Sequence, residues 1–125
     1  MSKTIMIVDD KIDTVNMVKA LLSSKGYDVI SVNSGKKALN KLDEIEDKPD
    51  LILLDMFMPE MSGREVCEKI RRTEDIKDIK IVFFTVASFS DKGKKMLKEL
   101  NVSDYITKPF DNKDLLERIK KIIGE

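Results

Sequence analysis

KTIMIVDDKID, Lys3 to Asp13, drives a short apolar run straight into two adjacent carboxylates, Asp9 and Asp10. Ile5 to Val8 are apolar without alternation, the pattern of a strand covered on both faces. Ending such a strand on two like charges costs stability unless water or a cation neutralises them. Taken alone the pair also fits a plainer role, because acidic residues often cap the helix that follows a strand. The choice turns on what the rest of the chain brings to the same place.

Working outward, similar runs recur at Val29 to Val32, Leu51 to Leu54, Ile81 to Phe84 and Tyr105 to Ile106. Between them the spacing is helical. Val15, Val18 and Leu22 form one stripe, Ala38, Leu42 and Ile45 a second, Val66 and Ile70 a third, and Met96, Leu97 and Leu100 a fourth. Leu115, Leu116, Ile119, Ile122 and Ile123 make the last, with Asp111 placed to cap it. Ser62 to Glu65, SGRE, has capping-box spacing. Uniformly apolar strands alternating with amphipathic helices predict an α/β fold, a doubly wound, five-stranded parallel sheet, (βα)5 and flavodoxin-like; the strand order expected for it is 2-1-3-4-5. Five units fall short of a closed eight-fold barrel.

The 125 residues suit a single domain, residues 1–125. Twenty-three basic and 23 acidic side chains leave no net charge, so no global field draws the chain to nucleic acid or to an anionic membrane. Cys67 is the lone cysteine, on the expected buried face of a helix beside Val66, and cannot form an internal disulfide. With no histidine and one thiol, a tetrahedral zinc site and the Ser-His-Asp or Cys-His nucleophiles are excluded. The N-terminus lacks a secretory pattern, and no apolar run approaches membrane-spanning length, so the expectation is a cytoplasmic protein with no membrane insertion.

In doubly wound sheets the active crevice lies beyond the carboxyl ends of the strands, where the strand order reverses. There the first strand delivers Asp9 and Asp10, the third Asp55 (LILLDMFMPEMSG), the fourth Thr85 (IVFFTVAS) and the fifth Lys108 (YITKPF). With order 2-1-3-4-5 the three carboxylates become neighbours. Such a set, without histidine or cysteine, suits a hard cation with oxygen ligands and several waters, most simply Mg²⁺. The cation would also bridge to phosphoryl oxygens that the bare cluster repels. One carboxylate can then attack phosphorus, while the Thr85 hydroxyl and Lys108 ammonium stabilise charge on the equatorial oxygens.

At these residues the chain resembles the receiver domains of two-component response regulators, particularly the stand-alone chemotaxis-regulator type. The resemblance covers essentially the whole chain. It joins the acidic pair, the D-x-x-x-P-x-x-x-G run from Asp55 through Pro59 to Gly63, the strand-end Thr85, and KPF at Lys108 to Phe110. It implies that Asp55 is the phosphoacceptor, and that Asp10, Asp55 and the Phe57 backbone carbonyl ligate Mg²⁺ with Asp9 assisting through water. It further implies that Thr85 and Lys108 contact the phosphoryl group, that the Lys108-Pro109 bond is cis, and that Tyr105 is an aromatic switch coupled to Thr85. The implied partners are a histidine kinase or phosphotransfer protein and a downstream protein target, with a phosphorylation-dependent dimer as one further option. Since no DNA-binding or catalytic segment follows Glu125, output is expected through protein binding rather than through direct contact with nucleic acid or an enzymatic activity of its own.

Three positions depart from the family's habit. Val86 replaces a small residue after Thr85 and narrows the expected access to Asp55. Phe57 and Ala87 stand where the family tunes attack by water, and neither side chain can orient a water by hydrogen bonding. Slow self-dephosphorylation is the expectation. Met56, Met58 and Met61 read as adaptable loop packing, and the lysine runs GKKALNK and DKGKKMLK as solvated helix faces.

Other functions compete with this reading. An aspartate-nucleophile phosphohydrolase would also use Mg²⁺, but it favours D-x-D on the first strand and a substrate-covering cap. A receiver-like interaction domain without phosphorylation would not need the whole constellation. An FMN-binding flavodoxin needs a phosphate-cradling loop where this chain places DDKID.

Overall fold

The computed structural model describes residues 2–86 and 90–125. Five strands alternate with five helices: β1 (Thr4–Val8), α1 (Ile12–Ser24), β2 (Asp28–Val32), α2 (Gly35–Glu44), β3 (Leu51–Asp55), α3 (Gly63–Arg71), β4 (Lys80–Thr85), α4 (Asp91–Glu99), β5 (Asp104–Thr107) and α5 (Asn112–Ile123). The strands form one parallel sheet in the expected order β2-β1-β3-β4-β5.

Alternate residues along each strand face opposite sides of a sheet, and here both sides are covered. Ile5, Ile7, Leu51, Leu53, Val82 and Phe84 pack with α1 and α5 through Val18, Leu22, Leu115 and Ile119. Met6, Val8, Ile52, Leu54, Ile81 and Phe83 pack on the other side with α2, α3 and α4 through Ala38, Leu42, Val66, Ile70 and Leu97. The central strand β3 is buried at every residue, whereas the edge strand β2 is only half-buried. Cys67 lies in the second cluster, where burial pushes its thiol up to about 11.

The helix signals hold, except that Ile45 and Leu100, read as stripe residues of α2 and α4, are the C-caps just past those helices. The Ser62–Glu65 capping box forms in full, and Asp111 accepts the Asp114 amide to cap α5. Ile45, read as part of the α2 stripe, instead takes an extended conformation just past the helix end and is half-buried. Neither acid of the opening pair caps α1: its N-cap is Lys11, without a side-chain cap. The plainer reading of Asp9 and Asp10 thereby loses its structural support.

Candidate functional site

Parallel register carries the ends of four strands to one rim. Val8 pairs with Leu54, Asp55 with Phe84 and Thr85 with Thr107, so the residues at or just after these positions share one edge of the sheet. Asp9, Asp55 and Thr85 are all buried there. Asp9, Asp10 and Asp55 each offer a carboxylate oxygen, and these lie within 4.8 Å of one another.

Buried carboxylates need donors or cations, and their supply here is uneven. Asp9 is well served: its Oδ1 accepts the Lys11 amide at 2.9 Å, and its Oδ2 accepts Lys108 Nζ at 2.6 Å. Asp55 is not. Its Oδ1 accepts the Phe57 amide at 3.3 Å and lies 3.7 Å from Lys108 Nζ, while its Oδ2 has no hydrogen-bond partner. Burial, and then the charge of Asp9, push the Asp55 carboxyl up to about 6, against the opposing pull of Lys108, the Phe57 amide and Lys11. A buried lone pair facing two other carboxylates is a position that an oxygen-seeking divalent cation would satisfy, so the residues present fit Mg²⁺.

The flanking segments hold this arrangement in place. Gly63 donates its amide to the Met56 carbonyl at 3.0 Å, and a Cβ at Gly63 would collide with the Asp55 carbonyl oxygen. Only glycine lets the start of α3 approach the acid so closely. Phe110 stacks on Phe84 with ring centroids 5.5 Å apart, and Lys108 Nζ stands 5.9 Å from the centre of the Phe84 ring. The Lys108 amide donates to the Thr85 carbonyl at 2.7 Å, and the Lys108-Pro109 peptide is cis, as expected. Met56, Met58 and Met61 pack at the edge of the second core cluster, matching the loop-packing reading.

Tyr105 is half-buried against that same cluster. The Phe57 and Val86 side chains are both exposed. Ala87 lies outside the described residues. Sequence reading passes over Lys11, whose ammonium lies 3.3 Å from Asp10 Oδ1 and 4.0 Å from Asp55 Oδ2. A cation directly following an acidic pair was the available signal.

Residues 5–120 match the response regulator receiver domain family. The chain belongs to that family. This receiver domain is 36% identical to the alkaline phosphatase synthesis transcriptional regulatory protein PhoP of Bacillus subtilis, over 98% of the chain and 49% of PhoP. It spans about half the length of the curated relatives it matches. The chemotaxis protein CheY4 of Vibrio cholerae superposes with a TM-score of 0.89 at 28% identity, over 98% of this receiver domain and 99% of that chain. The receiver domain of a sensor histidine kinase from Pseudomonas aeruginosa, solved with a magnesium ion coordinated in its active site cleft, superposes with a TM-score of 0.86 at 25% identity, over 100% of each chain. The protein is therefore a receiver domain of two-component signalling, a phosphoacceptor family. Among the described residues no helix is long and apolar enough to cross a membrane.

Proposed function

We propose that this receiver domain accepts a phosphoryl group on Asp55 from the phosphohistidine of a histidine kinase or phosphotransfer protein, and acts as a cytoplasmic switch whose output is binding to another protein. The observation that carries the proposal is the Asp55 carboxylate itself, buried at the end of β3 with one oxygen lacking any hydrogen bond. Asp10, Asp55 and the Phe57 carbonyl would hold Mg²⁺, with Asp9 acting through water. The magnesium-bearing cleft of the Pseudomonas aeruginosa receiver domain supports this assignment. Bound there, the cation would neutralise the carboxylates so that an anionic phosphoryl group can approach an anionic nucleophile.

In the transfer an Asp55 oxygen forms a bond to phosphorus while the donor's P–N bond breaks, and the bonding pair returns to the donor imidazole. Lys108, already 3.7 Å from Asp55 Oδ1, stabilises the transferred oxygens together with the Thr85 hydroxyl. Engagement of Thr85 opens space into which Tyr105 turns, altering the face made by α4, β5 and α5.

Intact-mass analysis after incubation with acetyl phosphate tests the reading. The expected result is one phosphoryl adduct that requires Mg²⁺ and is absent in Asp55→Asn. An adduct of equal yield in that variant would remove Asp55 as the acceptor.

A further inference from the structure

Resting on the reading of Asp10 and Asp55 as cation ligands, we propose that Lys11 is a built-in, displaceable counter-cation that sets how tightly the site holds Mg²⁺. Two ammonium groups face the three carboxylates, and they differ in kind. Lys108 is only 12% exposed and bonds the fully buried Asp9 at 2.6 Å. Expelling it would leave Asp9 as an unpaired buried charge, so it is a fixed part of the site. Lys11 is 59% exposed, and its contacts are longer, 3.3 Å to Asp10 Oδ1 and 4.0 Å to Asp55 Oδ2.

Exposed ion pairs of that length contribute little, and so they are readily exchanged. The Lys11 backbone stays anchored through its amide on Asp9 Oδ1 at 2.9 Å, leaving the side chain free to swing without moving the site. Charge counting points the same way. Once Lys108 is set against Asp9, Asp10 and Asp55 retain two negative charges, the complement of one divalent cation. The Lys11 ammonium covers part of that charge at the oxygen that has no hydrogen bond. A divalent cation held by Asp10 and Asp55 would displace the Lys11 ammonium, whose charge, tethered nearby by the anchored backbone, would still repel it. The empty site is thus kept partly neutralised, at the expense of cation affinity.

The test is Mg²⁺ titration of the full chain followed by amide NMR, comparing the parent with Lys11→Gln, Lys11→Arg and Lys37→Gln. Lys37 borders the groove that Asp10 also lines, and it makes no ion pair among the described residues. Lys11→Gln is expected to tighten binding roughly three- to tenfold, the size of an exposed pair plus local repulsion. Lys11→Arg should stay within about twofold of the parent, as should Lys37→Gln, whose charge is screened by solvent. A Lys11→Gln affinity within about twofold of a parent that binds would overturn the proposal and leave the cation site standing. Equal tightening in Lys37→Gln would also overturn it, by assigning the effect to the general field. A parent with no saturable Mg²⁺ response near Asp10 and Asp55 would bring down the cation reading and this inference with it.

Discussion

The two ends of the sheet both take in charge and treat it in opposite ways. At the amino ends of β4 and β5, Arg71 at the last turn of α3 spends its guanidinium on four backbone carbonyls. It donates to Leu100 at 2.7 Å, to Lys77 and Ile79 at 2.8 Å each, and to Asn101 at 3.1 Å. These bonds tie the end of α3 to the loop before β4 and to the turn after α4. At the carboxyl ends, Asp55 is more deeply buried, yet one of its oxygens is left without a hydrogen bond. A satisfied charge holds the fold together, whereas an unsatisfied one is held in reserve for a ligand.

Removing the satisfied charge should give the largest effect. Arg71→Met keeps much of the aliphatic stem but strands the two part-buried carbonyls of Leu100 and Ile79, and an expected loss of about 2–4 kcal/mol follows from the cost of unpaired, partly buried acceptors. Urea denaturation would measure it. Mg²⁺ affinity should be unchanged, because the clamp lies at the far end of the sheet. A parallel loss of cation binding would break the division of labour between the ends.

Removing the unsatisfied charge should do the reverse. The Asp55 carboxyl ordinarily titrates at 3.8 and is pushed up to about 6 in the fold, chiefly by burial. Between those values the native state binds more protons than the unfolded chain, so stability falls as pH rises through that window. Below it the burden is absent, and above it the burden is complete. The difference corresponds to an upper limit of about 3 kcal/mol. Without Mg²⁺, Asp55→Asn is therefore expected to stabilise the protein by about 1–3 kcal/mol at pH 7 and by almost nothing below pH ~4. Urea denaturation across that pH range would show the crossover. Saturating Mg²⁺ should shrink the gain, since it stabilises the parent's native state more than that of a variant lacking one ligand carboxylate.

The same contrast explains what could be read from the sequence. The two-sided core and the rim were legible because they depend on apolar runs and on residues fixed at strand ends, whereas the sheet order came from the known arrangements of doubly wound sheets. Ile52 and Leu54 face one cluster, Leu51 and Leu53 the other, and that alternation on a fully apolar strand already demands two covered faces. Asp55, Thr85 and Lys108 could be placed together because backbone register alone carries them there. Arg71 escaped, being a long basic side chain whose targets are set by tertiary distance rather than by spacing; for Lys11 the adjacent acidic pair was a signal, but its reach to Asp55 is tertiary. Arg71 was indistinguishable from a solvated residue, although it reaches carbonyls 29 and 30 positions away. Tyr27 escaped likewise: it is buried and donates to Glu125 at 2.7 Å across 98 residues, and burial together with that carboxylate pushes its phenol up to about 12.

Backbone conformation extends the comparison to a smaller energy. Among the described residues, each end of the sheet carries one non-glycine residue in the left-handed region, Glu60 at φ 68 in the β3–α3 loop and Asn101 at φ 54 in the turn that Arg71 clamps. Asparagine tolerates that conformation through local hydrogen bonding, while glutamate does not. The structural end thus uses a residue suited to its backbone, and the functional end accepts strain next to the Met61-to-Pro59 hydrogen bond of 2.7 Å. Glu60→Gly should relieve about 1–2 kcal/mol of conformational strain and give back about 0.5–1 kcal/mol through the freer unfolded chain, for a net gain of about 0.5 kcal/mol. Asn101→Gly has less strain to relieve against the same entropic loss, so it should be neutral or slightly destabilising. Paired denaturation curves for the two variants decide the matter: a gain at Asn101 equal to that at Glu60 would mean that strain is shared between the two ends and that only the charge distinguishes them.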